Sequence, residues 1–318
     1  MPDHHGLNVV LGAGGGTGGA IVDELVRRGL PVRAVTHRAA PTRAAVENVV
    51  ADLADHDAAR NALSGAAVVY HAANPPYHTW GEAFPPLNAS VVAATAAAGA
   101  RLVFADNLYM YGPRSGVMTE DTPVRATDKK GALRASLAEK LLVAQAAGEL
   151  EVVIGRSPDY FGPGGRNSAL GERTFGPALA GKSVRWVGDP DVPHSVAYLP
   201  DMARAFVTLG LAQEAAGRVW HLPTSGAPTG REFVAAIEAA SGRQASISGT
   251  PRWLLRLAGL ASPPAREMVG IYYQWNESFV SSDAAYQAAF GPDPATPLAE
   301  AVAATSTWFA GHPAATQG

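Results

Sequence analysis

Apolar segments of strand length alternate with helix-like segments through the first half of the chain. The run at residues 7–11 ends in glycines and predicts a buried strand, and residues 20–28 follow with apolar side chains at helical spacing. The same pattern predicts further strands at 31–36, 46–51, 66–70, 101–105 and 151–155, and helices at 87–98 and 132–147. Strands that alternate with helices at this spacing predict an α/β fold of the Rossmann type, with a doubly wound parallel sheet.

The alternation weakens after Tyr160, and the second half of the chain carries shorter, less regular elements. Thr229 and Glu232 form a capping box for one helix, and Thr296 is expected to cap the last one, with Pro297 at its first position. The pattern predicts short strands at 184–187 and 195–198, and helices at 201–211, 252–260 and 297–309.

No linker in the chain is long enough to separate two independent modules. We therefore expect a smaller C-terminal domain that is interleaved with the Rossmann domain. On this division the Rossmann domain takes residues 1–163 and 195–222, and the smaller domain takes residues 164–194 and 223–318.

A glycine-rich turn follows the first predicted strand. Gly12, Gly15 and Gly18 are spaced three apart, with Gly16 and Thr17 between the last two. Glycine allows a tight turn and a close approach of backbone to a pyrophosphate, and the helix that follows offers free N–H groups to the anion. The turn therefore predicts a dinucleotide site, the alternative being a tight turn without a ligand.

The end of the second predicted strand distinguishes NADP from NAD. No Asp or Glu occurs from Arg33 to Arg43, so the acid that would bind an unmodified ribose is missing. The strand ends in Thr36-His37-Arg38, and a guanidinium can pair with a 2′-phosphate. We expect NADP(H) in preference to NAD, with Arg38 as the main contact, unless these arginines are merely solvated.

Three further segments follow predicted strands and complete the expected cofactor groove. Asp52 can accept a hydrogen bond from adenine while the Leu53 N–H bonds the ring, although Asp52 is equally suited to cap the next helix. Ala72 and Ala73 are small enough for the backbone to approach the cofactor. Pro158 is placed to contact the carboxamide end through its backbone.

Composition and charge narrow the function classes. The 318 residues carry a formal net charge of -3 and no long basic run, so nucleic acid is not an expected partner. The chain has no cysteine, no apolar run of membrane-spanning length, no histidine pair with metal-ligand spacing and no serine-hydrolase elbow. We expect a cytoplasmic protein without a metal or a membrane contact that acts on a small molecule.

Taken together, these residues resemble the extended and atypical short-chain dehydrogenase/reductase superfamily, which contains sugar-nucleotide epimerases and dehydratases. The resemblance covers the chain to about residue 222, and it implies an NAD(P) cofactor contacted by Asn88 in the predicted helix at 87–98. The matching segments are Gly12-x-x-Gly15-x-x-Gly18, Asp52-Leu53, Tyr70-His71-Ala72-Ala73, Asn88, Tyr111-Gly112-Pro113, Arg156-x-x-x-Tyr160-Phe161-Gly162-Pro163 and Tyr198-Leu199-Pro200-Asp201-Met202-Ala203.

The superfamily's catalytic pair, Tyr-x-x-x-Lys on one helix face, is missing. No tyrosine in the chain has a lysine four residues later, and alignment on Glu139 places Gly131 and Ala135 at those positions. Another register pairs Ser136 with Lys140, which is a better candidate for a solvated helix residue. Asn107 stands where the superfamily has Ser or Thr. We therefore expect an intact cofactor site with non-standard proton-transfer groups.

Four residues after the fifth and sixth strands are candidates for that chemistry. Asn107 can bond a substrate oxygen, and Asp106 can act as a base or cap a turn. Tyr109 and Tyr160 are candidate proton donors, although Tyr160 is better suited to packing against the nicotinamide or under the loop.

Aromatic residues and one histidine are the candidates for substrate contact. Tyr77 and Trp80 lie in a proline-rich loop that either covers a flat substrate or is merely anchored by them. His194 and Trp275 belong to the smaller domain, which is the expected substrate-binding domain, and packing is their alternative role.

Three functions remain open. The first is an NADP(H)-dependent reductase or dehydrogenase acting on a small metabolite, of which an aromatic or polyketide-like molecule suits the aromatic residues best. The second is a non-redox isomerase, cyclase or dehydratase that retains NADP, and the third is an NADP-sensing protein without turnover. The resemblance also implies a homodimer formed through the helices at 87–98 and 132–147.

Overall fold

The computed structural model describes residues 6–39, 43, 45–291 and 295–313. The strands are β1 (Leu7–Leu11), β2 (Val32–Thr36), β3 (Glu47–Val50), β4 (Ala66–His71), β5 (Arg101–Asn107), β6 (Glu151–Ser157), β7 (Asp159–Phe161), β8 (Val184–Val187), β9 (Val196–Tyr198), β10 (Val219–His221) and β11 (Ile247–Thr250).

The α-helices are α1 (Gly16–Arg27), α2 (His56–Leu63), α3 (Trp80–Ala97), α4 (Lys129–Ala146), α5 (Glu172–Leu179), α6 (Leu199–Leu211), α7 (Gly230–Ser241), α8 (Arg252–Ala261), α9 (Pro263–Met268), α10 (Tyr273–Asn276), α11 (Ala284–Phe290) and α12 (Leu298–Gly311). Short 3₁₀ helices lie at Tyr77–Thr79, Tyr109–Tyr111 and Gln213–Ala215.

Seven strands form one parallel sheet in the order β10-β6-β5-β4-β1-β2-β3. The predicted α/β fold with a doubly wound parallel sheet is therefore confirmed. The strand order reverses between β1 and β4, and ligands of such sheets bind at the carboxyl ends of the strands beside this reversal. The glycine-rich turn leaves the end of β1 at this point, and Ala72 and Ala73 leave the end of β4.

Apolar side chains from the helices on each face of the sheet bury it, which explains the long hydrophobic runs of its central strands. On one face, α2, α3 and α4 cover side chains such as Val69 and Leu102, and on the other, α1 and α6 cover Val10 and Val103. A separate core joins β8 with α5, α7 and α12 through residues such as Phe175 and Phe233. Both predicted segments of the smaller domain, 164–194 and 223–318, contribute to this core. The domain boundaries themselves stay a prediction.

Helices α1, α3 and α4 begin at least three residues before the sequence pattern predicts, and α1 begins at Gly16 and not at residue 20. Helix α3 starts at Trp80 and not at residue 87, although Pro85 and Pro86 lie inside it. Proline removes a helical hydrogen bond, so the sequence favoured a later start. Burial of Trp80 and Phe84 in the core compensates for the lost bonds. Helix α4 starts at Lys129 because the Asp128 carboxylate accepts hydrogen bonds from the N–H groups of Lys130 and Gly131, both at 2.9 Å.

The capping box of α7 is confirmed, since the Thr229 side chain accepts from the Glu232 N–H and Glu232 bonds back. The prediction that Thr296 caps the last helix is wrong, because Pro297 occupies the cap position of α12. The Thr296 N–H and hydroxyl donate instead to the buried Asp201 carboxylate, at 2.6 and 2.8 Å. A buried carboxylate needs such donors, and these bonds tie α12 to α6.

Within the described residues, no helix combines the length and the apolar character needed to cross a membrane.

Candidate active site

The glycine-rich turn forms a cradle that side chains would fill. Gly12 has a φ of +76°, and a Cβ on it would lie 2.7 Å from the Ala73 Cα. A Cβ on Gly18 would lie 2.3 Å from the Gly12 carbonyl oxygen, whereas Gly15 is exposed. No side chain caps α1, so the first N–H groups of this helix, at Gly16 and Thr17, point to the open cradle. This geometry fits the pyrophosphate of a dinucleotide.

The three arginines around the end of β2 have different surroundings. Arg33 pairs with Glu47 at 2.9 Å, and Arg43 pairs with Asp23 and bonds the Gly19 carbonyl. Arg38 is exposed, and its guanidinium has no partner in the described part of the chain. Arg38 is thus the arginine left for a ligand.

Two predicted neighbours of Arg38 lie at the same strand end. A Cβ on Gly14 would lie 3.6 Å from the Thr36 Cγ2, so Thr36 borders the glycine-rich turn. His37 is exposed beside it. Their contact with a cofactor stays a prediction.

Asp52 lies exposed after β3 and does not cap a helix. Its carboxylate accepts from the Ala54 N–H at 3.0 Å, whereas α2 is capped by Asp55, which accepts from Ala58 at 2.8 Å. The capping alternative for Asp52 is therefore wrong, and the adenine contact stays a prediction. The Leu53 side chain packs into the core, which leaves only its backbone for a cofactor.

Two further predicted cofactor residues are buried. Asn88 on α3 is 4% exposed, and its Oδ1 has no hydrogen-bond partner among the described residues. The Pro158 carbonyl accepts from the Ser157 hydroxyl at 3.0 Å, which fixes the chain at the carboxyl end of β6. Their contacts with a cofactor stay predictions.

Asp106 does not fit the predicted role of a base, because its carboxylate is engaged on both sides. One oxygen accepts from Arg134 Nε at 2.7 Å and the other from Arg156 Nε at 2.9 Å, and the side chain is 0% exposed. Two guanidiniums and a closed environment stabilise the ionised form and keep it away from a substrate. We correct Asp106 from a catalytic to a structural residue.

The Asp106 cluster continues through hydrogen bonds to β10. Arg156 donates to the Tyr111 hydroxyl at 2.9 Å, and that hydroxyl lies 2.7 Å from His221 Nε2. His221 Nδ1 lies 3.2 Å from the Ser282 carbonyl, which can only accept. His221 is therefore a neutral ring with its hydrogen on Nδ1, and burial and Arg156 lower its pKa to about 4.

Asn107 and Tyr109 lie together at the carboxyl end of β5, as the sequence predicts. The Tyr109 N–H donates to Asn107 Oδ1 at 3.1 Å, which leaves the Asn107 Nδ2 as a donor for a ligand. The Tyr77 hydroxyl lies beside the Tyr109 phenol and has no hydrogen bond of good geometry among the described residues. Burial, the Tyr77 phenol and Asp159 raise the pKa of Tyr109 well above its usual value.

Tyr160 lies in a different part of the groove from Tyr109. Its phenol interacts with the Thr17 side chain in the glycine-rich turn, and burial together with Asp159 raises its pKa. Tyr160 is thus placed at the expected pyrophosphate, away from Asn107.

Trp80 and Trp275, two predicted substrate contacts, are core residues. The Trp80 indole donates to the Pro75 carbonyl at 3.1 Å and its side chain packs on Phe84. Trp275 is 3% exposed and stacks on the His194 ring at 4.2 Å. Both predictions are wrong, because these large apolar rings are buried in the core. Burial there stabilises the fold more than a position on the wall of an open groove would.

His194 is also enclosed and cannot touch a substrate directly, which corrects that prediction. Its Nδ1 lies 2.9 Å from the Gln274 carbonyl and its Nε2 lies 3.0 Å from Asp159 Oδ2. Asp159, which the sequence analysis did not select, is partly exposed between Pro158 and Tyr160. The alternation of side chains along a strand could have identified it, because neighbouring residues of β7 face opposite sides and Asp159 therefore points away from Tyr160.

Lys130 is a second residue that the sequence analysis missed. Its ammonium binds the Tyr77 carbonyl, pairs with Glu267 at 3.1 Å and lies 4.4 Å from the centroid of the Tyr77 ring. Lys130 therefore holds the Tyr77 loop against α4 and α9. No sequence pattern distinguishes it from the exposed Lys140.

The two positions aligned with the superfamily's catalytic pair are closed by other groups. A Cβ on Gly131 would lie 2.6 Å from the Tyr109 carbonyl oxygen, so the backbone of the Tyr109 turn occupies that space. Ala135 packs against the apolar cluster of Leu108, Met110 and Phe279.

A cleft of about 890 Å³ lies between the start of α4 and the segment 269–277. The Tyr273 hydroxyl on its wall donates to the Tyr109 carbonyl at 3.2 Å. The cleft has room for the body of a small molecule and borders the backbone of the Tyr109 turn through Tyr273. Its lining consists of Pro113, Thr127, Asp128, Lys129, Arg252, Val269, Gly270, Tyr272, Tyr273, Asn276 and Glu277.

The described residues contain no cluster of three or more His, Asp or Glu side chains suited to a metal ion.

Comparison with known proteins places this geometry in context. The sequence profile of the NAD-dependent epimerase/dehydratase family matches residues 8–222, more than half of the chain. A search of curated protein sequences finds no significant match.

Solved structures with the same fold include three sugar-nucleotide enzymes. UDP-glucuronic acid 4-epimerase from Bacillus cereus, in complex with UDP-glucuronic acid and NAD, is 18% identical with a TM-score of 0.79, over 96% of this chain and 99% of that one. UDP-glucose 4-epimerase from Thermus thermophilus, in complex with NAD, is 21% identical with a TM-score of 0.76, over 96% and 99%. A dTDP-glucose 4,6-dehydratase from Streptomyces venezuelae is 18% identical with a TM-score of 0.77, over 96% and 97%. At these identities the likeness establishes the shared fold.

Two buried histidines predict how the free energy of unfolding of the protein depends on pH. Burial and Arg134 lower the pKa of His71 to about 3, and its ring nitrogens have no partner among the described residues. With His221 at about 4, the unfolded chain binds nearly two more protons than the folded one near pH 5, and fewer at higher and lower pH. These two sites should make the free energy of unfolding fall by about 2.5 kcal/mol per pH unit as the pH drops through 5.

Urea denaturation as a function of pH measures this slope. His71→Leu loses no hydrogen bond and should reduce the slope by about 1.4 kcal/mol per pH unit, whereas His56→Leu, at an exposed position, should not. An unchanged slope in His71→Leu contradicts the assignment of a neutral, buried His71.

Proposed function

The chain belongs to the NAD-dependent epimerase/dehydratase family, and from this membership we propose that it is an NADP(H)-dependent reductase or dehydrogenase of a small carbonyl compound or alcohol. The observation that carries the proposal is the pair Asn107 and Tyr109 at the carboxyl end of β5, where the Tyr109 N–H donates to Asn107 Oδ1 and the Asn107 amide and the Tyr109 phenol remain as side-chain donors. A substrate oxygen placed between them would receive both hydrogen bonds.

The residues that would hold the dinucleotide are those of the groove described above. Gly12 to Gly18 would bind the pyrophosphate, Arg38 the 2′-phosphate, Asp52 the adenine, and the backbone at Ala72 and Ala73 the adjacent ribose. A bound reduced nicotinamide would supply a hydride to the substrate carbonyl carbon.

Tyr109 supplies the proton that accompanies this hydride. Its raised pKa keeps the phenol protonated at physiological pH, so Tyr109 offers a substrate carbonyl an O–H group and not a phenolate. In the superfamily pattern a lysine one turn away lowers the phenol's pKa, whereas here Ala135 lies in an apolar cluster. The protonated phenol is the form that a reduction requires, and the proton leaves it only as the developing negative charge on the substrate oxygen accepts it.

The charge near Tyr109 bears on the substrate class. Burial and the Asp159 carboxylate raise the pKa of the Tyr77 and Tyr109 phenols, and a diphosphate beside this carboxylate would be repelled. The acidic and basic residues around the adjoining cleft, including Asp128 and Arg252, offset one another. We therefore propose a neutral, aromatic or polyketide-like carbonyl compound as substrate.

The predicted homodimer through α3 and α4 and the predicted cytoplasmic location stay predictions.

Replacement of Arg38 tests the cofactor preference. Loss of a charge-assisted contact with the 2′-phosphate costs about 1.5–3 kcal/mol, so Arg38→Ala should weaken NADPH binding by about 10- to 100-fold and leave NADH binding unchanged. Arg43→Ala is the control, because Arg43 is already paired with Asp23. Fluorescence titration gives each Kd, and an equal loss for NADPH and NADH contradicts the role of Arg38.

Replacement of Tyr109 tests the proton donor. With 9,10-phenanthrenequinone, a neutral aromatic diketone, as probe, Tyr109→Phe should lower the kcat of NADPH oxidation by about 100-fold or more while the Kd of NADPH is unchanged. Tyr160→Phe is the matched phenol and should keep kcat, because the Tyr160 hydroxyl lies against Thr17. Full activity in Tyr109→Phe removes Tyr109 from the mechanism.

A further inference from the structure

Helix α8 exposes an apolar face to solvent. Trp253, Leu257 and Leu260 are 63%, 55% and 79% exposed. Because they are spaced four and three residues apart, their side chains lie on one face of the helix. The opposite face is the buried one, and it carries Leu255 and Gly259. The helix therefore presents its most apolar side away from the protein core.

This face, formed by Trp253, Leu257 and Leu260 and named the α8 face below, differs from the other exposed apolar positions of the protein. In the described part of the chain, the other large apolar side chains that are exposed are five separate valines, Val26, Val50, Val117, Val124 and Val143. Apolar residues scattered singly over a surface are ordinary, whereas a contiguous group of large ones marks an interaction surface.

Two arginines border the α8 face. Arg252 and Arg256 are exposed, and neither has an ion-pair partner among the described residues. Residues 243–277 contain four arginines and two glutamates, a net charge of +2 in a chain whose formal net charge is -3. One of these glutamates, Glu267, is already paired with Lys130 at 3.1 Å. The surroundings of the α8 face are therefore positively charged.

The charge of α8 decides which partner fits this face. In a symmetric dimer the same patch meets itself, so Arg252 and Arg256 of both copies would come together, and the helix has no acidic residue to pair with them. An anionic lipid surface suits both features of the helix. Tryptophan and leucine insert at the boundary between headgroups and acyl chains, and arginine is attracted to the anionic headgroups.

We propose that α8 docks the protein on the surface of a membrane that contains anionic lipids. The side chains of the α8 face insert below the headgroups, and Arg252 and Arg256 bind lipid phosphates. The contact is peripheral, because no helix of the described residues has the length and apolar character to cross a membrane. It replaces the expectation from the sequence of a protein without a membrane contact.

The position of α8 connects this surface with the cleft. Arg252 lines the cleft, and the Tyr272 hydroxyl on the cleft wall donates to the Thr250 carbonyl at 3.3 Å, just before α8. Arg266 Nε of α9 donates to the Gly259 carbonyl at 3.0 Å, which holds α8 against α9. A docked α8 brings one wall of the cleft to the lipid surface. This suits uptake of an apolar carbonyl compound from the bilayer, and that consequence alone rests on the proposed function.

Vesicle sedimentation tests the docking and needs neither cofactor nor substrate. The native chain should bind vesicles of phosphatidylcholine and phosphatidylglycerol in equal amounts, and it should bind pure phosphatidylcholine vesicles about tenfold more weakly or less. Leu257→Glu/Leu260→Glu should weaken binding to the mixed vesicles by about tenfold or more, because it removes two inserting side chains. Val50→Glu changes a similarly exposed apolar residue on β3 and should bind as the native chain does.

Two further variants separate the charged from the apolar contribution. Arg252→Gln/Arg256→Gln should weaken binding to the mixed vesicles by about 25-fold, since each arginine near an anionic surface contributes about fivefold, and should leave binding to pure phosphatidylcholine unchanged. Trp253 is the exposed one of the six tryptophans. Vesicles should therefore shift the tryptophan emission of the native chain to shorter wavelength, and Trp253→Phe should lack this shift. Circular dichroism should show the native fold in every variant, because all the changed residues are exposed.

Two results overturn the proposal. One is a native chain that stays in solution with the mixed vesicles, and if sedimentation equilibrium then shows a native dimer that Leu257→Glu/Leu260→Glu dissociates, a second copy covers the α8 face. The other is a Leu257→Glu/Leu260→Glu variant that binds the mixed vesicles as tightly as the native chain. Vesicle binding by a native chain that oxidises no NADPH with a carbonyl compound supports the docking and rejects only the proposed function.

Discussion

The carboxylate of Asp106, buried between two guanidiniums, is the interaction on which the arrangement of the site depends. Arg134 comes from α4 and Arg156 from β6, so the two ion pairs join these elements to β5 at the edge where ligands of such sheets bind. Removal of one member would leave an uncompensated buried charge at a cost of about 3–5 kcal/mol. The cost of burial is offset here by hydrogen bonds at both carboxylate oxygens and by the aromatic rings around Arg134.

The groups that we place in the chemistry lie within a few residues of these ion pairs. Asn107 follows Asp106 directly, and its Oδ1 accepts a hydrogen bond from the Tyr109 N–H. The backbone of the Tyr109 turn then fills the space beside Gly131 where the superfamily pattern has its tyrosine. On the proposed function, a phenol from the turn after β5 takes the role that this tyrosine has in the superfamily pattern. Its surroundings hold it protonated, because they contain a carboxylate and a second phenol and have alanine at the lysine position.

Local sequence predicted the parts of the molecule that depend on backbone geometry. The glycine-rich turn has a steric requirement that no other residue type meets, and the order of apolar runs was enough to predict the parallel sheet. The sequence also predicted Asn107, Tyr109 and Arg38 as candidates, because each follows a strand at its carboxyl end.

The roles of side chains that depend on distant partners could not be predicted in this way. Asp106 resembles a base until Arg134, 28 residues away in the chain, is seen to bind it. Trp275 and His194 resemble ligand contacts in the sequence. Their burial comes from the stack between them, and this stack joins two segments of the smaller domain that are far apart in the chain. Asp159 and Lys130 were missed for the same reason, since their partners His194 and Glu267 come from elements far along the chain.

A crystal structure of the protein with bound NADPH tests the central claim most directly, namely that the Tyr109 turn has taken over the proton-donating position beside an intact dinucleotide groove. The account predicts that the nicotinamide ring lies next to the Tyr109 hydroxyl and Asn107 Nδ2, with the pyrophosphate on the Gly12–Gly18 turn and the 2′-phosphate on Arg38. A nicotinamide ring remote from Tyr109, or a Tyr109 phenol that stays turned away from it, would contradict the account.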